Sequence, residues 1–152
     1  MTYYTDEEMQ DLDLIWYAVD QHHLAVLATD GPGVIPAHLR ASRKELDVLF
    51  SFMGTLPECS DALAEHIPGL TSDHWSSHVN EVDLDYVRGG LFFYDAMTSY
   101  TRDRHAYIRT AQPTVPLSID QLPTHVRELL LRLKDENLDF SRDTRLQWAE
   151  KE

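Results

Sequence analysis

His74, His78, Glu81 and Asp85 stand at i, i+4, i+7 and i+11, so a helix through them would carry all four on one face. Histidines four residues apart can chelate a divalent metal, as in zinc proteases. Here Trp75-Ser76-Ser77 separates them, and the glutamate that acts as general base in that protease motif is missing. Glu81 lies beside His78 but about two turns from His74, too far for the three to share one ion comfortably. A solvated acidic helix face is the first expectation, with no catalytic residue, no bound metal and no cofactor. A small metal-dependent hydrolase on the His74/His78 face is the alternative.

Other reactive residues lead nowhere sharper. His22 and His23 are adjacent, so on a strand they would point to opposite faces and at most one could serve a given site. Cys59 and His66 would lie two helical turns apart, which leaves Cys59 as a small core residue. No serine sits in a nucleophile elbow. Glu81, Asp83 and Asp85 alternate without the glycine-bearing loop that a calcium site needs. In Asp30-Gly31-Pro32-Gly33 no Lys-Ser/Thr pair follows the glycines and Pro32 removes a donor amide, so this is a turn and not a phosphate cradle.

The elements that would position these residues centre on Arg88-Gly89-Gly90-Leu91-Phe92-Phe93-Tyr94-Asp95. Two glycines end a helix, and four large apolar residues then rise as a strand buried on both faces. Upstream, Thr5-Asp6-Glu7-Glu8 has the form of a capping box. Leu14-Ile15-Trp16-Tyr17-Ala18-Val19 and Leu24-Ala25-Val26-Leu27-Ala28 read as an antiparallel hairpin. Helical spacing of Leu39, Leu46, Leu49, Phe50 and Met53 predicts a helix that begins near Pro36 and ends near Gly54. A shorter helix is expected after Pro57, with Cys59, Ala62, Leu63 and Ile67 on one face, and a third over 74–88 with Trp75, Val79, Val82 and Tyr86 buried. Residues 105–109 read as a partner strand, Pro113 and Pro116 as brackets of an extended edge. A last helix carries Val126, Leu129, Leu130 and Leu133, and the tail adds a short strand or turn. No internal repeat or linker divides the chain. The expected fold is α+β over residues 1–152 as a single domain, an antiparallel sheet with helices packed mainly on one side.

Charge is the more informative global property. The 152 residues carry a formal net charge of −13, with no Lys or Arg in 1–39 and none between Glu45 and Val87, where nine acids stand. Such a field repels nucleic acid and anionic lipid, and speeds encounter with basic partners. A lone cysteine, an N-terminus without a basic or apolar leader and the lack of any membrane-length apolar run predict a soluble, cytoplasmic protein with no membrane partner.

Two stretches resemble a known group. Trp16-Tyr17-Ala18-Val19-Asp20, Leu24-Ala25-Val26-Leu27-Ala28-Thr29 and Gly31-Pro32-Gly33-Val34-Ile35-Pro36 are similar to the opening of small bacterial immunity proteins of polymorphic toxin systems. The glycine-led strand 88–95, Tyr107, the proline segment from Pro113 to Pro116-Leu117, and Leu122-Pro123 with Val126 resemble the way such proteins close. One departure is the first hairpin turn, where Gln21-His22-His23 replaces the usual glycine. The resemblance implies an α+β fold, no catalytic residues and a cognate toxin as partner. Toxins that act on nucleic acid carry basic clefts, and an acidic protein can occlude one. The expected contacts are Glu81, Asp83 and Asp85, with Asp95, Tyr100 and Asp103 from the turn after the central strand. A nucleic-acid mimic that inhibits many basic proteins is a further possibility, which selectivity for one partner would argue against.

Overall fold

Phe92 to Asp95 are four consecutive buried residues, and the sheet is assembled around them. The computed structural model describes residues 2–65, 67 and 81–148, with Ser99 described by its backbone alone. In chain order the elements are helix α1 (Asp6–Asp11), strands β1 (Ile15–Val19) and β2 (Leu24–Ala28), a 3-10 turn (Ala37–Leu39), α2 (Arg43–Met53), β3 (Ala62–Ala64), α3 (Glu81–Arg88), β4 (Phe92–Asp95), α4 (Thr98–Thr101), β5 (Ala106–Pro113), a second 3-10 turn (Ile119–Gln121), α5 (Thr124–Leu131) and β6 (Arg145–Gln147). The strand order is β1-β2-β4-β5-β3, with β6 also paired to β5. The fold is α+β, and every pairing is antiparallel except β2–β4, where Ala25 to Ala28 run parallel to Phe92 to Asp95. No helix among the described residues is long and apolar enough to cross a membrane.

Local chemistry accounts for the element boundaries. Thr5 and Glu8 exchange the two hydrogen bonds of a capping box and start α1. Ser42 and Glu45 do the same for α2, so that helix begins at Arg43, while Pro36 opens only the 3-10 turn. In the β1–β2 turn the Asp20 carboxylate accepts the backbone amides of His22 at 2.8 Å and His23 at 2.7 Å. Those bonds close the turn without a residue in the left-handed region, and so without a glycine.

Both faces of the central strand are covered. Tyr86 of α3 packs against Tyr17 and Phe93, with ring centroids 6.3 and 6.2 Å apart. Phe92 and Tyr94, which alternate with Phe93, meet Phe140 on the opposite face at 6.2 and 5.7 Å. Phe140 is also tied through its backbone. Its amide donates to Asp20, and its carbonyl accepts from Tyr94 Oη at 3.2 Å and from Arg109 Nη1 at 2.5 Å. Burial drives the Tyr17, Tyr94 and Tyr107 hydroxyls well above the usual tyrosine range. Thr110 is an extra residue in β5, where pairing passes from Phe93–Ala111 to Tyr94–Arg109, and this bulge kinks the longest strand.

Several sequence expectations are corrected here. The segment after Pro57 is extended rather than helical: β5 runs on to Pro113, and its outer edge takes Ala62–Ala64 as a ladder partner. Cys59 is consequently exposed and not a core residue. Val82 is 67% exposed, because α3 turns Tyr86 and Val87 inward instead. Residues 98–103 include the short helix α4 within the turn.

Gly90 joins α3 to β4 at φ 99°, and a Cβ there would stand 2.7 Å from the backbone nitrogen and the Cβ of Leu117. The Leu117 amide in turn donates to the Gly90 carbonyl at 2.9 Å. Gly90→Ala should therefore lower stability by about 2 kcal/mol through backbone strain and displacement of residue 117. A urea-unfolding midpoint equal to that of the wild type would refute this.

Candidate functional site

One end of the sheet gathers acids from four separate elements. Asp13 precedes β1, Asp30 follows β2, Asp95 ends β4 and Asp83 lies in the first turn of α3. Asp95 is only 7% exposed, and its Oδ1 accepts the Met97 amide at 2.9 Å. Burial, reinforced by the negative fields of Asp30, Asp83 and Asp13, pushes its carboxyl up to about 7, although the Met97 bond favours the ionised form. Asp13, Asp30 and Asp95 share that end of the sheet because Ile15 and Asp95 both register with Ala28, the last residue of β2.

Glu81 and Asp85 stand on the exposed side of α3. Both carboxylates meet Arg88, at 3.2 and 2.9 Å, with carboxylate side chains 81% and 73% exposed. Pairs so open to solvent contribute little to stability and leave the acids accessible. Asp83 is half-buried. Asp95 itself is interior, so it can shape the surface field but offers no direct contact. Tyr100 is partly buried against Ile67, Met97 and Ile108, which makes it a packing residue as much as a surface one. Asp103 organises its loop: its Oδ1 accepts the His105 amide at 2.9 Å and its Oδ2 accepts Gln147 Nε2 at 2.8 Å, and these bonds, the His105 amide foremost, hold its carboxyl below the usual range. The structure thus brings Glu81, Asp85 and Arg88 together and sets Asp83 near Asp95, whereas Asp103 is engaged with β6. Arg102 and Arg104 are exposed on that same loop. His74 and His78 lie outside the described residues. Among the described residues, no group of three or more His, Cys, Asp or Glu is placed to hold a metal ion.

Sequence reasoning missed Asp13 and Asp30, which lie in polar breaks with no periodic signal to link them to α3. It also missed two concave surfaces. An open groove of about 360 Å³ lies between α2 and α3, with Phe50 59% exposed beside Met53, Leu56 and Val82. A cavity of about 290 Å³ lies between α1, residues 33–37 and Trp148. No protein-family model, curated protein or solved structure matches this chain.

Proposed function

We propose that this chain is an immunity protein that binds a cognate basic toxin, of nuclease type, and neutralises it by occluding the toxin's active site. It works as a binding module rather than as an enzyme, and acts in the cytoplasm. The observation that carries this reading is the convergence of Asp13, Asp30, Asp83 and Asp95 at one end of the sheet, next to the exposed Glu81 and Asp85 of α3. Burial is the main reason that the Asp95 carboxyl is raised, and the fields of Asp30, Asp83 and Asp13 add to it; a basic partner docked there would meet that negative field favourably. The net charge of −13 and the resemblance at residues 16–36 and 88–126 support the same partner.

The test is to recover the tagged full chain from its native cells, washing at moderate and then high salt, and to express any stoichiometric basic partner in a heterologous host. The reading requires that the partner be toxic alone and harmless when this chain is co-expressed. Absence of a stoichiometric basic partner, or toxicity that co-expression leaves unchanged, would refute it. Within that complex, reversing charge at Glu81, Asp83 and Asp85 together should slow association about tenfold at low salt and flatten its salt dependence. Unchanged association kinetics would place the contact elsewhere.

A further inference from the structure

The cavity between α1, residues 33–37 and Trp148 runs against the charge of the rest of the molecule. Arg40, Arg104 and His105 line it together with one acid, Asp6. The two guanidiniums are fixed in the same way. Arg40 Nε donates to the Ile35 carbonyl at 2.9 Å, and Arg104 Nε donates to the Pro32 carbonyl at 2.8 Å. Each is thus anchored by Nε on the same loop, which leaves the Nη groups to serve other acceptors. Arg40 Nη1 meets Asp6 at 2.8 Å, but that aspartate is 77% exposed and so a weak competitor. No partner of the Arg104 Nη atoms is found among the described residues.

The walls are rigid as well as cationic. At Gly33 a Cβ would lie 2.4 Å from the Thr29 carbonyl oxygen and 2.7 Å from the Ala96 Cβ, so the loop is seated where no side chain fits. Val34 donates its amide to the Arg104 carbonyl at 2.8 Å, and its own carbonyl accepts Tyr107 Oη at 3.1 Å. Trp148 stands edge-on to Tyr107 at 5.8 Å, and its backbone amide donates to the His105 carbonyl at 3.1 Å. Met9, Val34, Ile35 and Pro36 complete an apolar lining. A cavity of about 290 Å³ with apolar walls and a few fixed polar groups suits a small molecule and not a helix or a strand of nucleic acid.

We propose that this cavity binds a small organic carboxylate, with its planar or apolar body between Trp148 and Met9 and its carboxylate shared by Arg40 and Arg104. A pre-set guanidinium matches the two oxygens of a carboxylate, and the apolar lining selects against a bare anion. The loop that anchors both arginines follows Asp30 and packs on Ala96, so the cavity borders the acidic end of the sheet, but the proposal does not rest on the toxin-binding reading.

The experiment is calorimetric titration of the full chain at low ionic strength with indole-3-acetate, benzoate, indole-3-acetamide and inorganic phosphate. Both acids should bind, with the amide and phosphate at least tenfold weaker. Arg104→Gln should weaken the acids at least tenfold while leaving the thermal midpoint unchanged, because Arg104 is exposed and its bond is to one carbonyl. If that midpoint falls, Arg104→Lys is read in its place, since it keeps the charge and loses the fork. No heat from either acid at millimolar concentration overturns the proposal. So does equal binding of the amide or of phosphate, or an affinity that the Arg104 variant leaves unchanged.

Discussion

Asp95→Asn is expected to stabilise the protein strongly at pH 8 and by much less, about 1–2 kcal/mol, at pH 5. The Asp95 carboxyl titrates near 7 in the folded state and near 4 in an unfolded chain. Above pH 7 both states are ionised, and the folded state bears the full cost of a buried charge beside Asp13, Asp30 and Asp83. Between about 4 and 7 the folded state holds a proton that the unfolded chain has released, so stability falls as pH rises through that window. The full shift corresponds to roughly 4 kcal/mol, of which about 2–3 kcal/mol separates pH 5 from pH 8. Asparagine is neutral at both pH values, and its side-chain oxygen can still accept the Met97 amide. The measurement is urea unfolding of wild type and variant at both pH values. Taking the difference between proteins cancels the contribution of every group that the substitution leaves untouched. A gain from Asp95→Asn that is the same at pH 5 and pH 8 would mean that Asp95 ionises normally.

The second large effect is expected at Phe140. Its ring is fully buried between Phe92 and Tyr94, while its backbone is held by Asp20, Tyr94 and Arg109. Those backbone bonds survive truncation and keep the segment in place, so the void left by Phe140→Ala cannot readily collapse. The cost should be about 3–5 kcal/mol, against roughly 1 kcal/mol for Phe140→Leu. Chemical denaturation of the two variants checks the ratio. If both cost the same small amount, the segment relaxes into the gap and does not act as a rigid clasp.

What was legible in the sequence is what short-range chemistry decides. The capping residues of α1, the β1–β2 hairpin and the glycine-led central strand all come from patterns within a few residues, and each is present. The stretch after Pro57 was not legible. Its apolar spacing fits a helix, yet the unpaired edge of β5, some fifty residues downstream, recruits it as a strand. Val82 misleads for a related reason: the burial of α3 is set by Tyr17 and Phe93, which lie on other elements. At the acidic end, the α3 carboxylates could be seen from sequence, but the placement of Asp13 and Asp30 at the same sheet end as Asp95 could not. Asp95 looks like a turn residue, and it is interior because the strand carries one residue further than its apolar run.

The way β5 is paired also bears on how the chain folds during synthesis. Its inner edge lies against β4, while its outer edge is divided between β3, which comes earlier in the chain, and β6, which comes near the end. When the ribosome has delivered the first five strands, residues 106–108 still present an unsatisfied backbone edge, and Arg145–Gln147 closes it. The parallel β2–β4 ladder adds a second delay, because Ala25 must wait for Phe92 before it can pair. The nascent protein is therefore expected to remain protease-sensitive until its final strand emerges, and to become resistant in one late step.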